Sequence, residues 1–205
     1  MNDAILAVYR SAATAFAELA HQLPEACWDG PGLGDWDMRT LVGHTSRSLT
    51  TVSTYLKTAA AREDVTSPQD YYVKMHDYAS HLSAADILER ARQAGRDLGP
   101  DPAAAVDGLR ARAFADLDGA GDPLIAVIGG LGIRLSNYLP TRTFELAVHG
   151  LDIVRAAGLQ FPLPADVLEE ATVLAARVGV AMGQAEPLLC SLTGRGALPA
   201  SFSVV

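Results

Sequence analysis

Residues 140–157, PTRTFELAVHGLDIVRAA, are apolar over most of their circumference when they are drawn as an α-helix. At about 100° per residue, Arg142, Glu145, His149 and Asp152 fall on one narrow polar stripe with apolar residues on both sides. A helix that is apolar nearly all round belongs inside a bundle of other helices. Its polar stripe must therefore either reach solvent through a gap or point into the interior.

The rest of the chain is rich in alanine and keeps helical spacing, with proline and glycine between the segments. Ser67 and Ser83 each stand three residues before an aspartate, a pattern typical of the first turn of a helix. Residues 124–128 are a candidate short strand, and the tail 191–205, too broken for a helix, is a candidate for one or two edge strands. Helices are predicted over residues 3–21, 38–60, 83–99, 102–117 and 140–157, with another opened by Ser67-Pro68 and a last one opened by Pro162 and Pro164 that ends near 182.

This pattern predicts an all-α fold of ordinary domain size with small strand elements at most. The formal net charge of −8 and the sequence pI near 5.0 argue against a nucleic-acid surface, which needs clustered Lys and Arg. No apolar run reaches the roughly 20 residues that a membrane helix requires. Asp3 stands where a signal peptide would carry basic residues. We therefore expect a cytoplasmic protein without a nucleic-acid or membrane partner.

Glu145 and His149 are four positions apart, so a carboxylate and an imidazole lie one turn apart on the same helix face. Surface stripes favour Lys and Glu, whereas this stripe carries a histidine. Metal sites in helical bundles are commonly built from Glu and His side chains that project inward from facing helices. The pattern favours such a site, and a thin solvated face is the alternative interpretation.

A zinc-type site needs a third ligand from elsewhere in the chain. His44 lies on the flank of the second helix's apolar stripe, beside Gly43, which either permits a close backbone approach or makes an ordinary packing contact. A histidine in such a place is often a hydrogen-bonded core residue, but a Glu-x-x-x-His partner favours ligation. We predict that His44, Glu145 and His149 bind one divalent metal ion.

Two other residues of the stripe are candidates for supporting roles. Asp152 lies one turn beyond His149 and could hydrogen-bond that histidine from outside the coordination sphere. Arg142 is a candidate for binding an anionic substrate, and the alternative is that it only balances the nearby carboxylates. The remaining histidines are expected at the surface: His21, His76 and His81.

Several other kinds of site are not expected, because the sequence lacks their motifs. Cys27 and Cys190 form no Cys-x-x-Cys pair, so neither a disulfide framework nor a zinc site built on thiolates is expected. The glycines of residues 129–132 lack the spacing and the Lys-Ser/Thr of a phosphate-binding loop.

Residues 36–44, WDMRTLVGH, and residues 142–152, RTFELAVHGLD, resemble the mycothiol-dependent maleylpyruvate isomerase family. That family belongs to the DinB-like superfamily of four-helix bundles. The tail 192–199, LTGRGALP, is similar to the family's C-terminal segment. The resemblance implies an up-down four-helix bundle in which His44, Glu145 and His149 hold a divalent ion, usually zinc.

The resemblance also implies a chemistry. In the isomerase the ion activates the thiol of mycothiol, the thiolate adds to a cis double bond, and elimination after rotation gives the trans product. The full isomerase carries a larger second domain after the bundle, whereas only a short stretch follows Gly158 here. We therefore expect a DinB-like metal-binding bundle over residues 1–160 and a reduced C-terminal segment, residues 161–205, that packs on it.

The leading functional hypothesis is a metal-activated, thiol-dependent isomerase or S-transferase. Zinc is the favoured metal, with nickel or another divalent ion as alternatives. Mycothiol is the expected thiol cosubstrate, and a small electrophile is the expected substrate. The alternatives are a non-catalytic metal- or ligand-binding module and a metal-free helical scaffold. The chain is expected to be a monomer or a homodimer.

Overall fold

A computed structural model describes residues 2–79 and 83–205, and helices dominate both ranges. The predicted mostly α-helical bundle is confirmed, and its small strand elements form one antiparallel pair. The elements of the described ranges are α1 (Asp3–Gln22), α2 (Met38–Tyr55), α3 (Pro68–Ala79), α4 (Ala84–Asp97), α5 (Pro102–Leu117), β1 (Leu124–Ala126), β2 (Gly132–Arg134), α6 (Leu135–Ala157), α7 (Ala165–Ala181) and α8 (Ala185–Leu192).

Four helices form a closed ring around the core. Each of α1 and α2 contacts both α5 and α6, so the order around the ring is α1, α6, α2, α5. Outside the ring, α4 lies on α2, and α7 contacts α1, α3 and α6.

The division of the chain into two parts near residue 160 stays a prediction. Within the described ranges, no helix combines the length and the apolar character needed to span a bilayer.

The helices α2 and α6 run antiparallel. The hydroxyl of Tyr138, early in α6, donates to Thr51 Oγ1, late in α2, at 2.8 Å. The ring of His149, late in α6, meets the ring of His44, early in α2. This arrangement places the polar stripe of α6 against α2.

Side-chain caps explain where several helices begin. Asp37 accepts a hydrogen bond from the Thr40 amide at 2.7 Å at the start of α2. Ser67 accepts from the Asp70 amide at 3.2 Å, and Ser83 accepts from the Asp86 amide at 3.1 Å. Both serine hydroxyls accept from amides of the first turn, which lack the carbonyl four residues earlier that a helix interior supplies. The helix starts predicted at these two serines are confirmed.

The prediction that the second helix extends to residue 60 is wrong, because α2 ends at Tyr55. The chain beyond it pairs with β1 instead. The Ala126 amide donates to Thr58 O at 2.9 Å, and the Ala60 amide donates to Leu124 O at 3.2 Å. These bonds satisfy backbone groups that a longer helix would have used.

The predicted start of the functional helix at Pro140 is also wrong, because α6 begins at Leu135 and contains Pro140 in its second turn. The carboxylate of Asp122 accepts hydrogen bonds from the Ser136 amide at 2.7 Å and the Ser136 hydroxyl at 2.9 Å. This distant cap satisfies the first turn, and only one backbone bond is lost at the proline. The predicted end at Ala157 is confirmed, with Gly158 as the left-handed cap.

The predicted strand near residues 124–128 is confirmed as the shorter β1, which pairs with β2 in the register Ile125 to Ile133. The turn between them uses Gly129 and Gly130, both at positive φ, so these glycines serve a hairpin. The edge strands predicted in the tail are wrong for the described residues. There α8 occupies Ala185–Leu192, and no strand follows it.

A pair of glycines sets the contact between α2 and α4. A Cβ atom on Gly43 would lie 2.2 Å from the backbone nitrogen of Gly95. The two backbones therefore touch without intervening side chains, an approach that the missing Cβ atom of Gly43 permits. This contact holds the turn of α2 that carries His44.

Candidate metal centre

The structure brings His44 of α2 together with Glu145 and His149 of α6. One ligand atom from each of the three side chains lies within 4.8 Å of the other two. The two imidazole rings meet edge to face, with centroids 5.0 Å apart. Glu145 Oε2 lies 3.4 Å from His149 Nε2. All three residues are half-buried, so the polar stripe of α6 is not a solvated outer face.

Tyr72 of α3 orients the carboxylate. Its hydroxyl contacts Glu145 Oε1 at 2.9 Å and the backbone oxygen of Thr141 at 3.1 Å. The Tyr72 ring packs edge-on against Phe144, with centroids 5.2 Å apart. One carboxylate oxygen is thereby engaged, while the other faces His149. Tyr72 is not among the residues predicted from the sequence, because nothing in its local pattern indicates which way α3 faces.

Asp152 lies beside the outer nitrogen of His149. Its Oδ2 is 3.2 Å from His149 Nδ1, and this contact leaves Nε2 on the side of Glu145. A carboxylate at the second nitrogen fixes the orientation of an imidazole and makes it a stronger ligand. The structure thus places Asp152 where a supporting residue would stand.

His44 lies beside an indole. The Trp36 ring is tilted against it, with centroids 4.9 Å apart. Burial, followed by the nearby positive charge of His149, lowers the pKa of His44 to about 4. The imidazole of His44 is therefore neutral at pH 7, which is the form that coordinates a metal.

The other two groups titrate as a hydrogen-bonded pair. Burial opposes ionisation of Glu145, but the hydrogen bond to His149 and the charge of Arg142 outweigh it and lower the pKa of Glu145 to about 2. Burial likewise opposes protonation of His149, but hydrogen bonds to Asp152 and Glu145 raise the pKa of His149 to about 9. In the metal-free protein at pH 7, a carboxylate thus faces an imidazolium.

Arg142 is buried, with an exposed fraction of 9%. Its guanidinium lies over the rings of Tyr138 at 4.9 Å and Tyr71 at 5.4 Å, and Nε donates to Thr141 Oγ1 at 3.1 Å. These contacts hold the guanidinium in one place. A role in binding an anionic substrate stays a prediction for this residue.

The three side chains fit a divalent ion of the zinc type. Two imidazoles and one carboxylate are the ligand set of open, catalytic zinc sites. At pH 7 only His149 would have to release a proton before binding. Among the described residues, no other cluster of His, Cys, Asp or Glu offers three ligand atoms so close together.

The remaining histidines and cysteines lie apart from this centre as far as they are described. His21 and His76 are exposed, as predicted, and His21 pairs with Asp107 at 2.6 Å. His81, also predicted at the surface, lies outside the described residues. Cys27 and Cys190 are free and half-buried.

Comparison with known proteins gives a family match that includes the residues of the candidate centre. Residues 9–154 match a family model described as the mycothiol maleylpyruvate isomerase N-terminal domain, and the matched range contains all three candidate ligands. A search of curated proteins and a search of solved structures each found no match. The family match spans well over half of the 205 residues. The chain belongs to the family of mycothiol maleylpyruvate isomerase N-terminal domains.

Proposed function

We propose that the chain binds one divalent metal ion through His44, Glu145 and His149, with zinc as the favoured metal, and that it activates a small thiol for reaction with an electrophile. The observation that carries the proposal is the convergence of three ligand atoms from α2 and α6 within 4.8 Å. The family match supports mycothiol as the thiol. The electrophile could be isomerised or could accept the thiol by transfer.

A bound divalent ion would lower the pKa of a thiol and so make a thiolate available at neutral pH. The chain's own residues would prepare that chemistry. Asp152 holds Nδ1 of His149, and Tyr72 holds one oxygen of Glu145. The Trp36 ring lies against His44 and forms an apolar wall beside the centre.

Arg142 would contribute a buried positive charge near Glu145. Its charge helps keep Glu145 ionised, because it is among the causes that lower the pKa of that carboxyl. A second role, binding the anionic group of an electrophile, is part of the proposal. The two roles are separable, since the first affects metal binding and the second affects only the substrate.

Metal analysis tests the first half of the proposal. Wild-type protein grown with zinc should contain close to one ion per chain, and His44→Ala should lose tight binding, because Glu145 and His149 of one helix rarely suffice. His76→Ala removes an exposed histidine and is the matched control. A wild-type protein that neither carries nor rebinds zinc, measured by elemental analysis and calorimetry, would rule out the site.

Cobalt substitution tests the second half. Adding mycothiol to the cobalt-loaded protein should produce a sulfur-to-cobalt charge-transfer band in the near ultraviolet. The band should be absent in His149→Ala and present in Arg142→Ala. If millimolar mycothiol leaves the cobalt spectrum unchanged, thiol activation is excluded.

A non-catalytic metal- or ligand-binding module is the second candidate. It is favoured by the fact that the match is with the N-terminal domain of the isomerase and ends at residue 154. A turnover assay with mycothiol and an activated electrophile separates the two. Metal binding without thiol-dependent turnover would favour the module. The cytoplasmic location and the oligomeric state stay predictions.

A further inference from the structure

A pocket lies between α2, α4 and α5. Its volume of about 380 Å³ is within the range of pockets that bind small molecules. Its wall combines charged and amide side chains with apolar ones. The residues that matter here are Arg47, Arg90, Gln93, Asp97, Leu98 and Leu109.

Among the described residues, the two arginines of this pocket have no anionic partner. In the described part of the chain, neither Arg47 nor Arg90 forms an ion pair, whereas the neighbouring Arg96 pairs with Glu89 at 2.6 Å. Arg47 is also half-buried, so water solvates its guanidinium only in part. A half-buried cation without a counterion gains free energy when an anion binds beside it.

The one carboxylate of the pocket is engaged by a neutral group. Asp97 Oδ1 accepts a hydrogen bond from Gln93 Nε2 at 2.7 Å. The hydroxyls of Ser46 and Thr50, which also line the pocket, donate to backbone oxygens of their own helix. The charged donors left for a ligand are the guanidinium groups of Arg47 and Arg90.

The rest of the wall is apolar. Leu98 is buried and Leu109 is half-buried, and Ala94 and Ala105 complete this side of the pocket. A hydrated inorganic ion would leave that surface uncovered. An anion that carries a small hydrocarbon group would cover it and gain from its burial.

We propose that this pocket binds a small organic anion, a carboxylate or a phosphate monoester with a compact apolar group, through Arg47 and Arg90. The anionic group contacts the two guanidiniums, and the hydrocarbon part lies against Leu98 and Leu109. The pocket is distinct from the metal centre, although Arg47 follows His44 by one turn of α2. Its occupancy does not depend on a bound metal.

Calorimetry with four probes tests this assignment: phenyl phosphate, benzoate, inorganic phosphate and uncharged benzyl alcohol. The titrations use wild-type protein after chelation, with Glu145→Ala as a second protein that has lost a candidate metal ligand. Phenyl phosphate or benzoate should bind saturably with one site per chain, and the tighter of the two identifies the preferred anionic group. Inorganic phosphate should bind more weakly than phenyl phosphate, and benzyl alcohol should not bind.

Substitutions locate the binding. Arg47→Gln and Arg90→Gln should each weaken the better probe about tenfold, as expected for the loss of a charge-assisted hydrogen bond. Arg92→Gln removes the same charge from an exposed α4 residue that does not line the pocket, and should leave affinity unchanged. An equal loss in all three variants would indicate general surface attraction and overturn the proposal. Absence of saturable binding at millimolar concentrations, or binding that chelation abolishes, would overturn it as well.

Discussion

The hydroxyl of Tyr72 lies 2.9 Å from Glu145 Oε1, so a residue of α3 orients a carboxylate that α6 presents to α2. This contact connects three helices at one point. Outer hydrogen bonds of this kind typically change metal affinity by about tenfold to a hundredfold. A substitution of Tyr72 therefore tests whether the ligands of the candidate centre are preorganised for metal binding.

We expect Tyr72→Phe to weaken zinc binding at least about tenfold while the fold is kept, because the ring still packs on Phe144. Competition with a chelating dye measures the affinity, and circular dichroism checks the fold. Tyr55→Phe is the control, because Tyr55 packs on Tyr138, with ring centroids 5.7 Å apart, and forms no hydrogen bond to the three ligands in the described part of the chain. Equal affinities for wild type and Tyr72→Phe would show that Glu145 does not need this hydrogen bond.

Removal of the metal should lower the thermal stability of the wild-type protein. An ion that binds only the folded state stabilises it by about 2.7 kcal/mol at a free concentration one hundred times its dissociation constant. Calorimetric melting with and without a chelator measures the effect. Glu145→Ala should show almost no shift on chelation. Comparable shifts in both proteins would mean that the chelator acts elsewhere.

Zinc binding should strengthen as pH rises from about 5 to 8. In this range Glu145 is ionised and His44 is neutral, while His149 is protonated, with a pKa of about 9. Binding must therefore displace one proton, and the affinity should rise about tenfold per pH unit. Calorimetry in two buffers of different ionisation enthalpy counts the released proton. Asp152→Asn should release fewer protons at pH 7, since Asp152 helps raise the pKa of His149.

The hydrogen-bonded pair of Glu145 and His149 should make the stability of the metal-free protein depend on pH. The pKa of His149 is raised from 6.5 to about 9 on folding, so its protonated form contributes stability that is complete below about pH 6.5. That contribution should disappear as pH rises through 9. Urea unfolding at several pH values measures it, and a profile unchanged in His149→Gln would contradict the assignment.

Trp36 should report metal binding through its fluorescence. Its ring centroid is 4.9 Å from that of His44, so a paramagnetic ion such as cobalt at the centre should quench its emission strongly. Zinc, which has a filled d shell, should not quench it. The chain has two tryptophans, and Trp28→Phe should keep the response while Trp36→Phe should lose most of it. Quenching that survives in Trp36→Phe would place the ion elsewhere.

Gly43→Ala should destabilise the protein by more than about 2 kcal/mol, because the added methyl group would overlap the Gly95 backbone. The matched control is Gly108→Ala, also inside a helix, where a Cβ atom would meet nothing within 4 Å. There we expect a gain of about 0.5–1 kcal/mol from reduced chain entropy. Urea unfolding gives both values. Similar effects at the two glycines would contradict the close contact of α2 and α4.

The grouping of the candidate ligands can be predicted from the sequence where one helix carries the information. The spacing of Glu145 and His149 places both on one face of α6, and His44 follows from the need for a third ligand. Tyr72 could not be found in this way. Its contact with Glu145 depends on how α3 crosses α6, which is a matter of tertiary packing and not of local periodicity.

Helix boundaries illustrate the same limit. Pro140 has the local pattern of a helix start, but Asp122, fourteen positions before Ser136, caps an earlier turn. The helix predicted over residues 38–60 includes Thr58, but the backbone oxygen of Thr58 accepts a hydrogen bond from the Ala126 amide of β1. In both places a partner distant in sequence outweighs the local preference.

The central position of α2 has a consequence for how the protein opens. This helix contacts α4, α5 and α6, and its backbone touches that of α4 at Gly43. Its amides can exchange with deuterium only when several helices separate together, so α2 should belong to the slowest-exchanging unit. By contrast, α8 contacts mainly α7 and leaves Leu189 and Leu192 exposed, so its amides should exchange through small local openings. The candidate ligand on α2 therefore rests on the part of the molecule that fluctuates least.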